Sequence, residues 1–302
     1  MSEVTILQNC RGINTRDHPT ELENKYLAKA VNVDVSDKGS VSRRGGYNIV
    51  TDGLTNAHSV AVLLNRYVIY ADGENLFCYD SVSEVTTTIK TDLTADKPIS
   101  FTFVGDELAF TNGIERGRIS VISSTVGCVD YFEFVNEDNL REVVNFPFVD
   151  CHHFYNGSMY GFVRGESFVY CSEPYKLGQY DQEKGYLLLP SSINWISNLE
   201  EALLVGTDSG ITAFAGHGLS DFQEKTNIWT NHSELCSDRM SVQIKGNTYH
   251  GLLSLTDRGI IFISDQLDIV DMTSKLTLNW NTISSGCFYN MNNSYIFSGG
   301  IS

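Results

Sequence analysis

A chain of 302 residues with 42% apolar and 11% aromatic content can bury a sizeable core, which excludes a disordered protein. Its formal net charge of -16 is spread along the chain, which disfavours binding to a phosphate backbone through a basic face. The acidic balance suits solubility, a basic partner, or a channel to which nucleic acid does not adhere.

Residues 1–10 lack a basic start and an apolar run, so no signal peptide is expected there, and no apolar run is long enough to span a membrane as a helix. The seven cysteines, Cys10, Cys78, Cys128, Cys151, Cys171, Cys236 and Cys287, are odd in number and include no C-x-x-C pair. That argues against a disulfide framework or structural zinc, and for buried, reduced thiols in a reducing compartment.

In chain order, residues 1–29 read as an extended arm and 30–47 as a hairpin. Ala30 to Val35 alternates apolar and polar, Ser36-Asp37-Lys38-Gly39 has turn chemistry, and Ser40 to Arg44 begins a return strand. From residue 48 onward a unit repeats: apolar strand, tight polar turn, second strand, Gly-containing turn, third strand. Its first turns fall at Asn65, Gly105, Asn156, Glu200, Asn247 and Asn292, so the spacing runs from 40 to 51 residues. Short strands at this period, with almost no helical periodicity, predict an all-β fold, a six-bladed β-propeller forming one domain over 1–302. Only Glu137 to Val144 suggests a helical turn. The sixth copy stops after two strands at Ser302. A four-stranded blade there is completed when the N-terminal hairpin pairs with the C-terminal strands, which hides two sheet edges and closes the ring.

Candidates for chemistry are few. His152 and His153 are adjacent on a predicted strand, so their side chains point to opposite faces and do not share an ion. Asp265, Asp268 and Asp271 lack the glycine and terminal glutamate of a calcium loop. Gly216-His217-Gly218 reads as a loop, there is no G-x-S-x-G elbow, and the inner strands carry few acids for a glycosidase. No catalytic, cofactor or metal residues are assigned. Arg43 and Arg44, with Tyr47, are the candidate interface or blade-closure residues. The arginines either pair with blade carboxylates, the favoured reading, or reach a partner's acidic surface or nucleic acid.

Gly12-Ile-Asn-Thr15, Pro19, Leu27, Ala30 to Val35, Gly39 and Ser42-Arg-Arg-Gly-Gly-Tyr47 resemble the N-termini of tailed-phage virion proteins. These are the propeller-bearing tail hub, nozzle or tail-tubular proteins of short-tailed phages, although Gly46 stands where that family commonly has proline. Tyr170-Cys-Ser-Glu-Pro-Tyr175, with Tyr180-Asp181 and Tyr186 to Pro190, is similar to one of their blades. Gly206-Thr-Asp-Ser-Gly-Ile211 is similar to one of their turns. The resemblance implies a structural protein of the virion tail, not an enzyme, with no cofactor and no membrane anchor. It also implies a homo-oligomeric ring assembled in the host cytoplasm, with adaptor, portal or fibre proteins as partners and only transient, non-sticky contact with DNA. A cellular propeller scaffold and a carbohydrate-active propeller enzyme are the alternatives.

Overall fold

The computed structural model describes residues 10–23, 25–31, 33–35, 39–43, 50, 52–95, 97–135, 140–228, 235–236, 239–244, 247–276, 283–291 and 294–301. Among them every regular element is a β-strand, as the period-two patterning requires.

β1 (Val33–Val35) and β2 (Val41–Arg43) form the expected hairpin, with Val33 opposite Arg43. The first sheet follows as a meander of β3 (Ala57–Leu63), β4 (Tyr67–Asp72), β5 (Asn75–Asp80) and β6 (Val85–Lys90). The second is β7 (Ser100–Val104), β8 (Glu107–Thr111), β9 (Arg116–Ile122) and β10 (Thr125–Val129). After β11 (Val143–Asn145), the third sheet holds β12 (Cys151–Tyr155), β13 (Ser158–Phe162) and β14 (Phe168–Cys171). β15 (Gln179–Asp181) leaves that sheet to pair with β11, and β16 (Tyr186–Leu188) returns to it.

The fourth sheet is β17 (Ile193–Asn198), β18 (Ala202–Thr207), β19 (Gly210–Ala215) and β20 (Gln223–Ile228). In the fifth, β21 (Leu235–Cys236) and β22 (Met240–Ile244) both pair with β23 (Asn247–Thr256), followed by β24 (Gly259–Ser264) and β25 (Ile269–Asp271). β26 (Ile283–Met291) and β27 (Ser294–Ile301) make a last, two-stranded hairpin.

The sheets follow one another like blades around an axis. The first strand of each neighbours the first strand of the next, from β3 to β7, β12, β17, β21 and β26. Between successive sheets lies a separate apolar seam. Leu63, Ile69 and Leu76 meet Leu108, Phe110 and Ile119 between the first and second. Ala109, Phe146, Val149 and Met159 fill the next, Tyr160 and Phe162 meet Leu203 and Val205 in the third, and Trp195 and Leu204 meet Leu252 and Ile263 in the fourth.

Close approach dictates glycine at one seam position. Gly206 lies opposite Trp195 across the β17–β18 ladder, and a Cβ there would collide with the indole ring. Gly206→Val is therefore expected to cost about 2 to 3 kcal/mol by overpacking. A loss under about 0.5 kcal/mol in urea unfolding, typical of a surface change, would contradict this packing.

Two expectations change. The segment proposed as a helical turn, 137–144, falls in part outside the described residues, and its described end is a turn leading into β11, not a helix. The consecutive β-branched Val143 and Val144 favour the extended ladder offered by Asp181 and Tyr180. The N-terminal and C-terminal hairpins appear as separate two-stranded sheets, and among the described residues no ladder joins them. The two ends nevertheless meet. The Thr15 amide donates to the Lys275 carbonyl at 3.1 Å, Arg16 donates to the Ser274 carbonyl at 3.0 Å, and the Lys275 ammonium lies 4.2 Å from the Tyr26 ring centre.

Candidate interaction surfaces

Hydroxyl and amide side chains on the first strands stitch one blade to the next. Ser59 Oγ accepts from the Ile99 amide at 2.8 Å. Ser100 Oγ accepts from the His152 amide at 3.2 Å and donates to the His152 carbonyl at 3.4 Å, and Thr102 accepts from the Phe154 amide at 3.1 Å. Ser100 and Thr102 are two apart, so strand alternation turns both toward the same neighbour. His153 Nε2 continues the pattern with Asn198 Oδ1 at 2.7 Å.

The histidine pair divides as its strand spacing predicts. His152 points into the seam between the second and third blades, where its Nε2 faces the Ala109 carbonyl at 3.2 Å. That contact fixes Nε2 as the proton carrier of a neutral ring. The Tyr131 ring is stacked 6.4 Å away, and Arg116 lies over Tyr131 and Phe148 at 4.5 and 4.3 Å. Burial pushes the His152 pKa down to about 4, with smaller contributions from His153 and Arg116. The same burial raises the Tyr131 hydroxyl. This is a packing cluster with a neutral imidazole.

The acids are committed elsewhere. Asp80 makes a two-point bond to Arg66, with both contacts at 2.7 Å, which holds its carboxyl well below the usual range. Asp265 accepts from the Glu200 amide at 3.1 Å and pairs with Arg239 at 2.6 Å, while Asp271 caps the Thr273 amide. Asp221 accepts from the amides of His217 and Gly218, so Gly216-His217-Gly218 is a loop closed by a carboxylate, and His217 is exposed. None of β3, β7, β12, β17, β21 or β26 contains Asp or Glu. These first strands are neutral, and the negative charge lies on the other strands, the turns and the N-terminal arm.

Burial raises the thiols of Cys78, Cys128 and Cys171 to about 11, and that of Cys151 is also raised. These four are protonated and poorly nucleophilic at neutral pH.

Three surface features stand out. A cleft of about 370 Å³ between the third and fourth blades is lined by Ser158, Ser172, Glu173, Asp181, Lys184 and Leu219. Its carboxylates are already engaged, Asp181 with the amides of Glu183 and Lys184, and Glu173 with Gln179. Beside it Tyr175 projects 86% exposed with φ +61°, held by its amide bond to the Gly157 carbonyl. Among the described residues, the first blade also has a partly exposed apolar groove on the side away from the second, lined by Val50, Leu54, Val60, Val68, Tyr70 and Tyr79. Sequence reasoning missed that face, because its residues alternate like any other strand.

Arg43 is exposed at the end of β2, and Arg44 and Tyr47 lie outside the described residues.

No family model and no curated protein matches the chain. Among solved structures it is similar to the extracellular domain of BT4673, described as a hybrid two-component system, from B. thetaiotaomicron. That match has a TM-score of 0.52 at 14% identity, covering 86% of this chain and 33% of the other. It is also similar to virginiamycin B lyase from Staphylococcus aureus, with a TM-score of 0.51 at 9% identity, covering 88% and 84%. The chain thus spans about a third of the BT4673 structure. At such identities the likeness speaks to fold alone: this chain is an all-β, propeller-type protein.

Proposed function

We propose that this chain is a non-enzymatic propeller subunit of a short-tailed phage tail, of the hub, nozzle or tail-tubular kind. It would form a ring through which DNA passes and on which neighbouring tail proteins dock. The reading rests on the resemblance carried by residues 12–47, 170–190 and 206–211. The placement of the second segment supports it. Tyr170 to Pro190 builds β15, the wall of the cleft and the projecting Tyr175, which are features of a docking rim. Large exposed aromatics are the residue type that anchors protein interfaces. The neutral first strands suit a lumen that neither binds nor strongly repels a polyanion.

A propeller scaffold of cellular origin is the second reading, and the fold itself favours it equally. Negative-stain imaging with native mass measurement separates the two. Rings with a central lumen and several-fold the 33.7 kDa subunit mass are expected. A monomer at every concentration overturns the ring.

A further inference from the structure

The cleft between the third and fourth blades has a fixed frame. One wall is the segment 172–185, where the Gly185 amide donates to the Asp181 carbonyl at 2.7 Å and the Cys171 amide to the Gly185 carbonyl at 2.8 Å. The other wall is the loop 216–222, closed on Asp221 and tied to the third blade by the Tyr155 hydroxyl, which donates to the Gly216 carbonyl at 2.8 Å. Ser158, Cys171 and Ser172 line the cleft, with Pro174 and Leu219 as larger apolar neighbours. The Cys171 thiol lies beside the Ser158 and Tyr160 hydroxyls and donates to the Ser172 carbonyl at 3.3 Å. Tyr160 is wholly buried behind it, and its hydroxyl has no hydrogen-bond partner. A buried O–H in that state costs free energy unless an acceptor reaches it. Tyr175 stands at the cleft's edge, one residue beyond Pro174. One face of its ring lies on Gly157, where a Cβ would come within 2.9 Å of it, and the rest of the side chain is open to water. Its left-handed backbone and the 2.7 Å amide bond to the Gly157 carbonyl hold it there. The outcome is a flat aromatic platform with one free face, beside a pocket of about 370 Å³, a volume in the range of small-ligand sites.

We infer that this cleft binds a neutral oligosaccharide, with one sugar ring stacked on Tyr175 and the next seated between the two loops. The inference goes beyond the tail assignment and does not rest on it. A pyranose presents polarised C–H groups on one face, which suit the negative face of an aromatic ring. Each of its hydroxyls both donates and accepts. The cleft answers with the hydroxyls of Ser158 and Ser172, the carboxylates of Glu173 and Asp181, and the Lys184 ammonium. A sugar oxygen at the floor, directly or through a water, supplies the acceptor that Tyr160 lacks. Charge selects against acidic glycans. The segments 172–185 and 216–222 carry Glu173, Asp181, Glu183 and Asp221 against Lys176 and Lys184, so an anion meets net repulsion. The site binds without turnover. Asp181 is committed to the amides of Glu183 and Lys184 and to the Lys184 ammonium at 3.1 Å, and Glu173 to Gln179. Neither is placed as the protonated acid that glycoside cleavage needs.

The test is a printed array of neutral gluco-, galacto-, manno- and N-acetylhexosamine oligosaccharides, with sulfated and sialylated glycans alongside, probed with the full chain. Binding is expected among the neutral glycans and not among the charged ones. The best neutral glycan is then titrated calorimetrically against two variants. Tyr175→Asn removes the ring with a residue that tolerates the left-handed backbone, and is expected to weaken binding about tenfold or more. Tyr175→Phe keeps the ring and is expected to bind within about twofold of the wild type. Tyr175 is exposed, so both variants are expected to keep the wild-type urea midpoint. An array without neutral binders, a preference for sulfated glycans, or binding that Tyr175→Asn leaves intact each overturns the inference. So does a wild type that binds no sugar but loses self-association in Tyr175→Asn, which makes Tyr175 a protein contact. Ring formation by the wild type bears only on the tail assignment, so the two failures are distinguishable.

Discussion

Phe110→Ala is expected to lower the unfolding free energy by about 3 to 5 kcal/mol, measured by urea denaturation. Phe110 is 1% exposed at the centre of the first seam, among Leu76, Leu108 and Ile119. Its ring lies across the ladder from Gly117, where even a Cβ would come within 2.7 Å of the ring. Glycine offers no side chain to swing into the vacated space, so the cavity remains and the cost falls toward the upper end. Each hydroxyl bond along the first strands contributes only about 1 kcal/mol. The apolar seams, rather than the stitches, hold neighbouring blades together. A loss below about 1 kcal/mol would mean that the seam is loose.

Acidification is expected to weaken the fold in a window set by His152. Its pKa is about 4 in the folded protein against an ordinary value of 6.5, so below pH 6.5 the unfolded chain binds a proton that the native chain refuses. Stability is fully present above 6.5, falls as the pH drops toward 4, and has no further His152 component below that. At about 1.4 kcal/mol per unit, the total loss is about 3 kcal/mol. Asp80, Asp181 and Asp221, whose pKa values are lowered by bound donors, withdraw their stabilisation as the pH falls through the carboxylate range and below it. The interval between 6.5 and 4 is therefore where His152 is best seen. Urea midpoints of the wild type and His152→Gln, compared from pH 7.5 to 4, are expected to converge as pH falls. Parallel curves would show that His152 takes up its proton in the native state.

The first three strands of the first four blades were legible because each is apolar enough to declare itself. Ile193, Ala202 and Ile211 begin strands where their sequence patterns place them, within a residue. The fourth strands were not. Val85-Thr-Thr-Thr-Ile-Lys90 and Gln223-Glu-Lys-Thr-Asn-Ile228 are outer edges, selected for contact with water, so neither periodicity nor apolar content marks them. β11 and β15 were missed for another reason: three-residue strands paired across 34 residues of chain leave no local signal. The division of His152 from His153 could be read from strand alternation alone. That His152 would be buried against Ala109 could not, because the partner lies 43 residues away in another blade.

The N-terminal arm has a consequence for synthesis. Its bond from Arg16 to Ser274 closes a loop of 258 residues. Closing a loop of that length in a flexible chain costs about 5 kcal/mol, more than two exposed hydrogen bonds and a cation–π contact return. The arm can dock only after the blades have brought residue 275 to it. On a ribosome adding roughly 5 to 20 residues per second, the arm emerges and then waits on the order of 13 to 50 seconds for its seat to be made. For that interval the arm, made before its seat, is open to chaperones, proteases or a premature neighbour.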